Sequence, residues 1–156
     1  MKRTVGDPSN SSLRGRALVI DQDVEYLEFV QRVVQGVGCG VQACNSYQEG
    51  IRQLSTGRFD VILVGQGSPE FEGRCVLERT TKLDRRLPVI VVARRVDIAC
   101  YFEAMQLGAV DYIAGPRGGA EIAQVVKKFA PRSKVNVASP GRMSNLAPAK
   151  PEVLRA

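Results

Sequence analysis

The chain has 156 residues, 44% of them hydrophobic and 24% charged, with a net charge of +6, four cysteines and no histidine. That length suffices for one domain with a buried core and excludes two of ordinary size, and the composition is that of a globular rather than a fibrous protein. No apolar run approaches the ~18 residues of a membrane span, and Met1 to Asn10 lacks the apolar stretch of a secretory signal, so the expected setting is cytoplasmic and not membrane-spanning.

Residues 1–15, with Gly6-Asp7-Pro8-Ser9-Asn10 and no apolar period, are expected to be a disordered leader. Ala17 to Ile20 is a short apolar run that ends in Asp21-Gln22-Asp23, which predicts a first strand. Leu27, Val30, Val33, Val34 and Val37 then follow helical spacing, with Asp23 at the N-cap and Glu25 in the first turn; Gly36 and Gly38 end the helix. A strand over about Val41 to Cys44 leads through Asn45-Ser46 into a short helix carrying Ile51 and Leu54, closed by Gly57.

The third strand is Val61 to Val64, an apolar run emptying at once into Gly65-Gln66-Gly67-Ser68-Pro69. Continuous apolar runs of this kind belong to parallel strands covered on both faces. After Gly73, Val76, Leu77 and Leu83 mark a helix that ends at Asp84-Arg85-Arg86, and Pro88 opens the strongest strand, Val89 to Val92. Ile98, Phe102 and Met105 mark a fourth helix before Gly108; Asp111-Tyr112-Ile113 is a short fifth strand. Ile122, Val125, Val126 and Phe129 fall at i, i+3, i+4 and i+7 of a last helix.

Residues 131–156 are rich in Pro, Ala, Ser and Lys, without periodicity, and are expected to be a basic disordered tail. The first 16 residues contribute +3 and the tail +4 to the net charge, which leaves residues 17–130 at about −1. The basicity therefore belongs to the ends, where it gives at most weak, unspecific attraction to nucleic acid or acidic surfaces. Cys39, Cys44, Cys75 and Cys100 form no CxxC pair, and there is no histidine to complete a metal site. Cys44 and Cys75 lie in apolar-patterned segments and are expected to be small buried hydrophobes.

Five strands alternating with five helices through short loops specify an α/β doubly wound sandwich on a five-stranded parallel sheet, of order 2-1-3-4-5, over residues 16–130. Gly36, Gly38 and Gly40 lie at the end of a helix instead of between a strand and a helix, so they do not make a dinucleotide loop. In such a sheet the crevice lies at the carboxyl ends of the strands, and Gly65 or Gln66 should stand at its floor.

These landmarks, together with Glu72-Gly73 after Pro69 and the run Gly108-Ala109-Val110-Asp111-Tyr112-Ile113 ahead of Pro116, resemble the receiver domain of two-component response regulators, a flavodoxin-like, CheY-like fold. The resemblance covers Ala17 to Phe129. It implies an acid pair after strand one, a phosphate-accepting Asp at the end of strand three, a hydroxyl residue after strand four and a Lys after strand five. The residues at those positions are Asp21-Gln22, Gly65, Ala93 and Gly115. Glycine carries no nucleophile, Gln66 beside it offers only an amide, and Ala93 and Gly115 have nothing to orient or neutralise a phosphoryl group. Asp21 alone, at most a residual ligand, should hold Mg²⁺ poorly, so no cofactor is expected. Asp60 begins its strand, roughly 16 Å from the far end, too far to substitute. Asp23 is expected to cap its helix, Asp21 to stitch loops together, and Glu70 and Glu72 to face solvent.

The expected function is that of a pseudo-receiver, not an enzyme, working without phosphorylation through protein-protein contact. The expected surface runs from helix four through strand five to helix five, with Tyr112, Tyr101, Phe102, Arg94 and Arg95. Its partners would be other signalling proteins, a second copy of the chain among them. The resemblance places Tyr112 at a switch position, and Ala93 leaves room for an inward ring. Alternatives are a phosphorelay receiver accepting phosphate at an unusual residue and an adaptor that binds nucleic acid or membrane surfaces through the basic ends.

Overall fold

Each apolar run becomes a strand and each helical period a helix: β1 (Arg16–Ile20), α1 (Val24–Gly36), β2 (Gly40–Cys44), α2 (Tyr47–Thr56), β3 (Val61–Gly65), α3 (Arg74–Leu83), β4 (Val89–Ala93), α4 (Ile98–Gln106), β5 (Asp111–Ala114) and α5 (Ala120–Phe129). The computed structural model describes residues 15–115 and 119–130. The leader expected up to residue 15, apart from Gly15 itself, and the tail expected over 131–156 lie outside the described residues.

The five strands form one sheet of order β2-β1-β3-β4-β5, and all four pairings are parallel. Because successive side chains on a strand point to opposite faces, each strand feeds two cores. Leu18, Ile20, Ile62, Val64, Val89 and Val91 face one side, where they meet Leu54 of α2, Val76 and Leu77 of α3, and Ala104 of α4. Val19, Val61, Leu63, Ile90 and Val92 face the other, against Leu27, Val30 and Val34 of α1 and Ile122 and Val126 of α5. Burial on both faces is why the strands read as unbroken apolar runs.

The helix starts follow local chemistry. Asp23 caps α1 by accepting from the Tyr26 N–H at 3.0 Å, Ser46 caps α2 through Glu49, and Asp97 caps α4 through Cys100. Such caps satisfy backbone donors that the first helical turn leaves open.

In α4 the residues that mark the helical period are not the ones that form its core face. Ile98, Phe102 and Met105 are 61%, 59% and 38% exposed, whereas Cys100 and Ala104 are 2% and 0% exposed. The helix is apolar on two sides, and the small side chains of Cys100 and Ala104 are the ones that pack onto the sheet. Cys44 is buried as expected, but Cys75 is only half-buried, and its thiol donates to the Glu72 carbonyl at 3.3 Å.

Ile90→Ala, in the middle of β4, is expected to cost about 2–5 kcal/mol in urea unfolding, and Phe102→Ala to stay within about 0.5 kcal/mol of the parent. Equal losses at the two positions would show that α4 buries its Phe102 face.

Candidate functional site

β1 pairs with both β2 and β3, so the chain leaves the carboxyl ends of β1 and β3 in opposite directions and opens a crevice there. It encloses about 700 Å³, and Asp21, Gln22, Gln66, Ala93, Arg94 and Arg95 all line it. The pairing of Ile20 with Val64 places Asp21 beside Gly65. Gly115 joins the group through its backbone, donating its N–H to the Ala93 carbonyl at 2.8 Å. All five positions expected of the pocket thus gather at one end of the sheet. Asp60 lies at the other end, where its carboxylate accepts from the Arg16 N–H at 2.8 Å.

Asp21 occupies space that a side chain at position 65 would need. A Cβ on Gly65 would stand 2.8 Å from Asp21 Cγ and nearer still to Oδ2. Asp21 Oδ1 accepts from the Asp23 N–H at 2.9 Å, a tie within its own loop. Burial pushes the Asp21 carboxyl above its ordinary value, against the lowering effects of the Asp23 N–H and the charge of Arg94. Asp23 is held below the carboxylate range, first by the Tyr26 N–H and further by Arg94. Its Oδ2 pairs with Arg94 Nη2 at 2.6 Å, and the same guanidinium lies 4.9 Å from the centre of the Tyr26 ring.

A second group of contacts crosses the crevice. The Tyr112 hydroxyl donates to Gln66 Oε1 and accepts from the Asp97 N–H at 3.3 Å, while Gln66 Nε2 donates to the Ser68 carbonyl at 3.2 Å. Gln66 is 5% exposed, so these bonds satisfy an amide that would otherwise be costly to bury. From the α2 side, the buried Tyr47 donates to the Gly65 carbonyl at 3.0 Å. The loop between β3 and α3 is closed on itself. Glu72 is exposed yet accepts from both the hydroxyl and the N–H of Ser68, which lower its pKa in that order. Phe71 takes a left-handed φ of 60° with its ring buried in the core. Cys100, its thiol pushed up to about 11 by burial, donates to the Pro69 carbonyl at 3.4 Å.

Of the residues expected at the partner surface, Tyr101 and Phe102 stand on the outer face of α4 with Ile98 and Met105, beside the exposed Val96. Tyr101 meets the Tyr112 ring edge-on, with centroids 5.6 Å apart. Tyr112 itself is half-buried and turned inward. Arg94 is half-exposed, and its guanidinium is engaged across the crevice with Asp23 and Tyr26. Sequence reasoning passed over Tyr26, Tyr47 and Asp97, each of which reads locally as a helix residue or cap. The one available signal was that Tyr26 and Tyr47 both sit in the first turn of a helix following a strand, and so close to the crevice.

The chain belongs to the response regulator receiver domain family, whose model matches residues 17–127. It is 27% identical over 99 residues to the transcriptional regulatory protein ZraR of Escherichia coli K12, an alignment that covers 64% of this chain and 22% of that protein. It is 23% identical over 121 residues to the response regulator protein TodT of Pseudomonas putida, covering 76% of this chain and 53% of TodT. The chain thus spans about a fifth to a half of the length of these curated relatives. Among solved structures, a CheY-like receiver domain protein from Methanospirillum hungatei JF-1 superposes with a TM-score of 0.67 at 23% identity, over 81% of this chain and 96% of that one. Fold and family agree on a receiver domain of two-component signalling. No helix among the described residues is long and apolar enough to cross a membrane.

The raised pKa of Asp21 carries a sign. A carboxyl whose folded pKa lies above its unfolded value contributes most stability when protonated, and loses that contribution as pH rises through the folded value. Asp21→Asn, which keeps the acceptor for the Asp23 N–H, is therefore expected to be more stable than the parent at pH 7. The difference should shrink as pH falls through the folded pKa toward 3.8. Thermal unfolding of both proteins across that range checks it; a parent that is the more stable at pH 7 would contradict the burial effect.

Proposed function

We propose that this receiver domain does not accept phosphate, and that it signals through protein-protein contact on the face formed by α4 and β5. The carrying observation is the Asp21 carboxylate standing against a side-chain-free Gly65, at the position where the family holds its acceptor. Ala93 and Gly115 supply neither hydroxyl nor ammonium, and Gln22 supplies an amide in place of a carboxylate. The Asp21 carboxylate is the nucleophile left at that position, and it lacks the second carboxylate, the hydroxyl and the ammonium that would orient and neutralise a phosphoryl group.

Support for the interface comes from α4. Val96, Ile98, Tyr101, Phe102 and Met105 form an exposed apolar strip, and aromatic residues of this kind are enriched in binding hot spots. Tyr112 stabilises the strip from beneath by its edge contact with Tyr101. Its inward setting rests on Gln66 and the Asp97 N–H and needs no phosphoryl group. The domain is a docking module rather than an enzyme, it works in the cytoplasm, and its partner is another signalling protein.

Incubation with a small phosphodonor and Mg²⁺ is expected to leave the intact mass unchanged, both for the parent and for Gly65→Asp. In that variant the new side chain has to displace Asp21 and still lacks the hydroxyl and lysine partners. Addition of one phosphoryl group to the parent would replace this reading with that of a phosphorelay protein. Tyr101→Ala and Phe102→Ala are each expected to weaken binding of a captured partner about tenfold or more, since truncating a central hot-spot residue costs ~1–2 kcal/mol or above. Unchanged affinity in both would remove α4 from the interface.

A further inference from the structure

The family implies a divalent cation at the acid pair, and the oxygens here do not fit one. Mg²⁺ requires near-octahedral oxygen ligands and is held by one or two carboxylates together with phosphate oxygens and retained waters. Gln22 offers an exposed amide and Gly65 no side-chain oxygen. Asp21 Oδ1 is engaged by the Asp23 N–H, which leaves Oδ2, lying over Gly65, as the one carboxylate oxygen turned to the crevice floor; Asp23 Oδ1 caps α1, and Asp23 Oδ2 is in the ion pair with Arg94. Among the described residues no group of three His, Cys, Asp or Glu side chains is placed to hold a metal ion.

We infer that Arg94 is itself the cation of this crevice: its guanidinium, brought in by the β4–α4 loop, pairs with Asp23 two residues past Asp21 and sets a positive charge beside the position where the family would use a metal, which keeps a metal out. Two independent contacts hold the group there. Asp23 Oδ2 lies 2.6 Å from Nη2, and the Tyr26 ring centre lies 4.9 Å from Cζ. A planar guanidinium can make both contacts at once, a bond from its edge and stacking on its face, which an ammonium cannot do as well. It is charged at every physiological pH, so the neutralisation is permanent. The pair is half-exposed, at 53% and 43% for the two side chains, and adds little to stability. Its effect is to place charge: a metal ion approaching Asp21 and Asp23 meets a positive group already seated and must displace it.

The same contacts tie the β4–α4 loop to the start of α1. Three residues after Arg94 in that loop, Asp97 caps α4 and donates its N–H to Tyr112. The segment leading into α4 is thereby held by the chain's own side chains at both ends, with no metal needed to hold it. This inference does not depend on the proposed interface, because it is read by metal binding alone.

The test is titration of the full chain with Mn²⁺, followed by electron paramagnetic resonance of the free ion and by calorimetry. The parent and Arg94→Lys, which keeps the charge, are expected to bind Mn²⁺ only weakly. Arg94→Ala and Arg94→Gln are expected to bind it about tenfold or more tightly than the parent, on removal of a unit charge a few ångströms from the ligands. The gain should disappear in Asp23→Asn/Arg94→Gln. Three results would each overturn the inference: a parent that binds as tightly as Arg94→Gln, neutral variants that gain nothing, or an Arg94→Lys that gains as much as Arg94→Ala. The parent's own titration needs no variant to fold, and binding there at micromolar Mn²⁺ would suffice to reject it.

Discussion

The carboxylate of Asp21 lies over the Cα of Gly65, and the two can coexist because residue 65 has no side chain. The constraint comes from the sheet. β1 and β3 are hydrogen-bonded neighbours in parallel register, so the residues just past their last pairs are forced together whatever they are. Position 73 obeys the same geometry from the other side: a Cβ on Gly73 would run into the Gly65 carbonyl oxygen, so α3 begins on a glycine packed against the end of β3. The floor of the crevice is therefore backbone, with Tyr47 donating to the carbonyl that faces it. Polar groups at this depth must find partners within the chain.

Those partners connect the loops. Arg94 links the β4–α4 loop to the start of α1; Tyr112 links that loop, through the Asp97 N–H, to Gln66 and so to the loop after β3. The β3–α3 loop is in turn closed by Glu72 on Ser68 and carries Phe71 in a left-handed conformation, which only a well-packed surrounding tolerates for a large residue. α4 is suspended from this framework. Its inner face offers only small side chains to the sheet, so its larger apolar residues remain outside.

Strand order, helix positions and caps were legible because each rests on local chemistry: unbroken apolar runs for strands buried on both faces, and Asp23 and Ser46 ahead of helical periods. The gathering of Asp21, Gln22, Gly65, Ala93 and Gly115 was legible once order 2-1-3-4-5 was assigned, since that order brings the relevant strand ends together. In α4 the exposure of Tyr101 and Phe102 was legible, but the burial of Cys100 and Ala104 was not, because periodicity locates large apolar residues and here the small ones pack onto the sheet. Arg94 is exposed, as its place beside Arg95 suggests, but nothing local announces that Asp23 and Tyr26 lie within its reach.

The sequence by itself determined the α/β alternation, the parallel sheet, and which chemical groups are present or missing at the strand ends, because these depend on residue type and on spacing along the chain. Only the tertiary structure decided what the remaining groups do with one another. Tyr112 and Gln66 are 46 positions apart and bond directly. Which donor meets which acceptor across a crevice is set by strand register and loop conformation, to within a fraction of a hydrogen-bond length, and no pattern along the chain carries that precision.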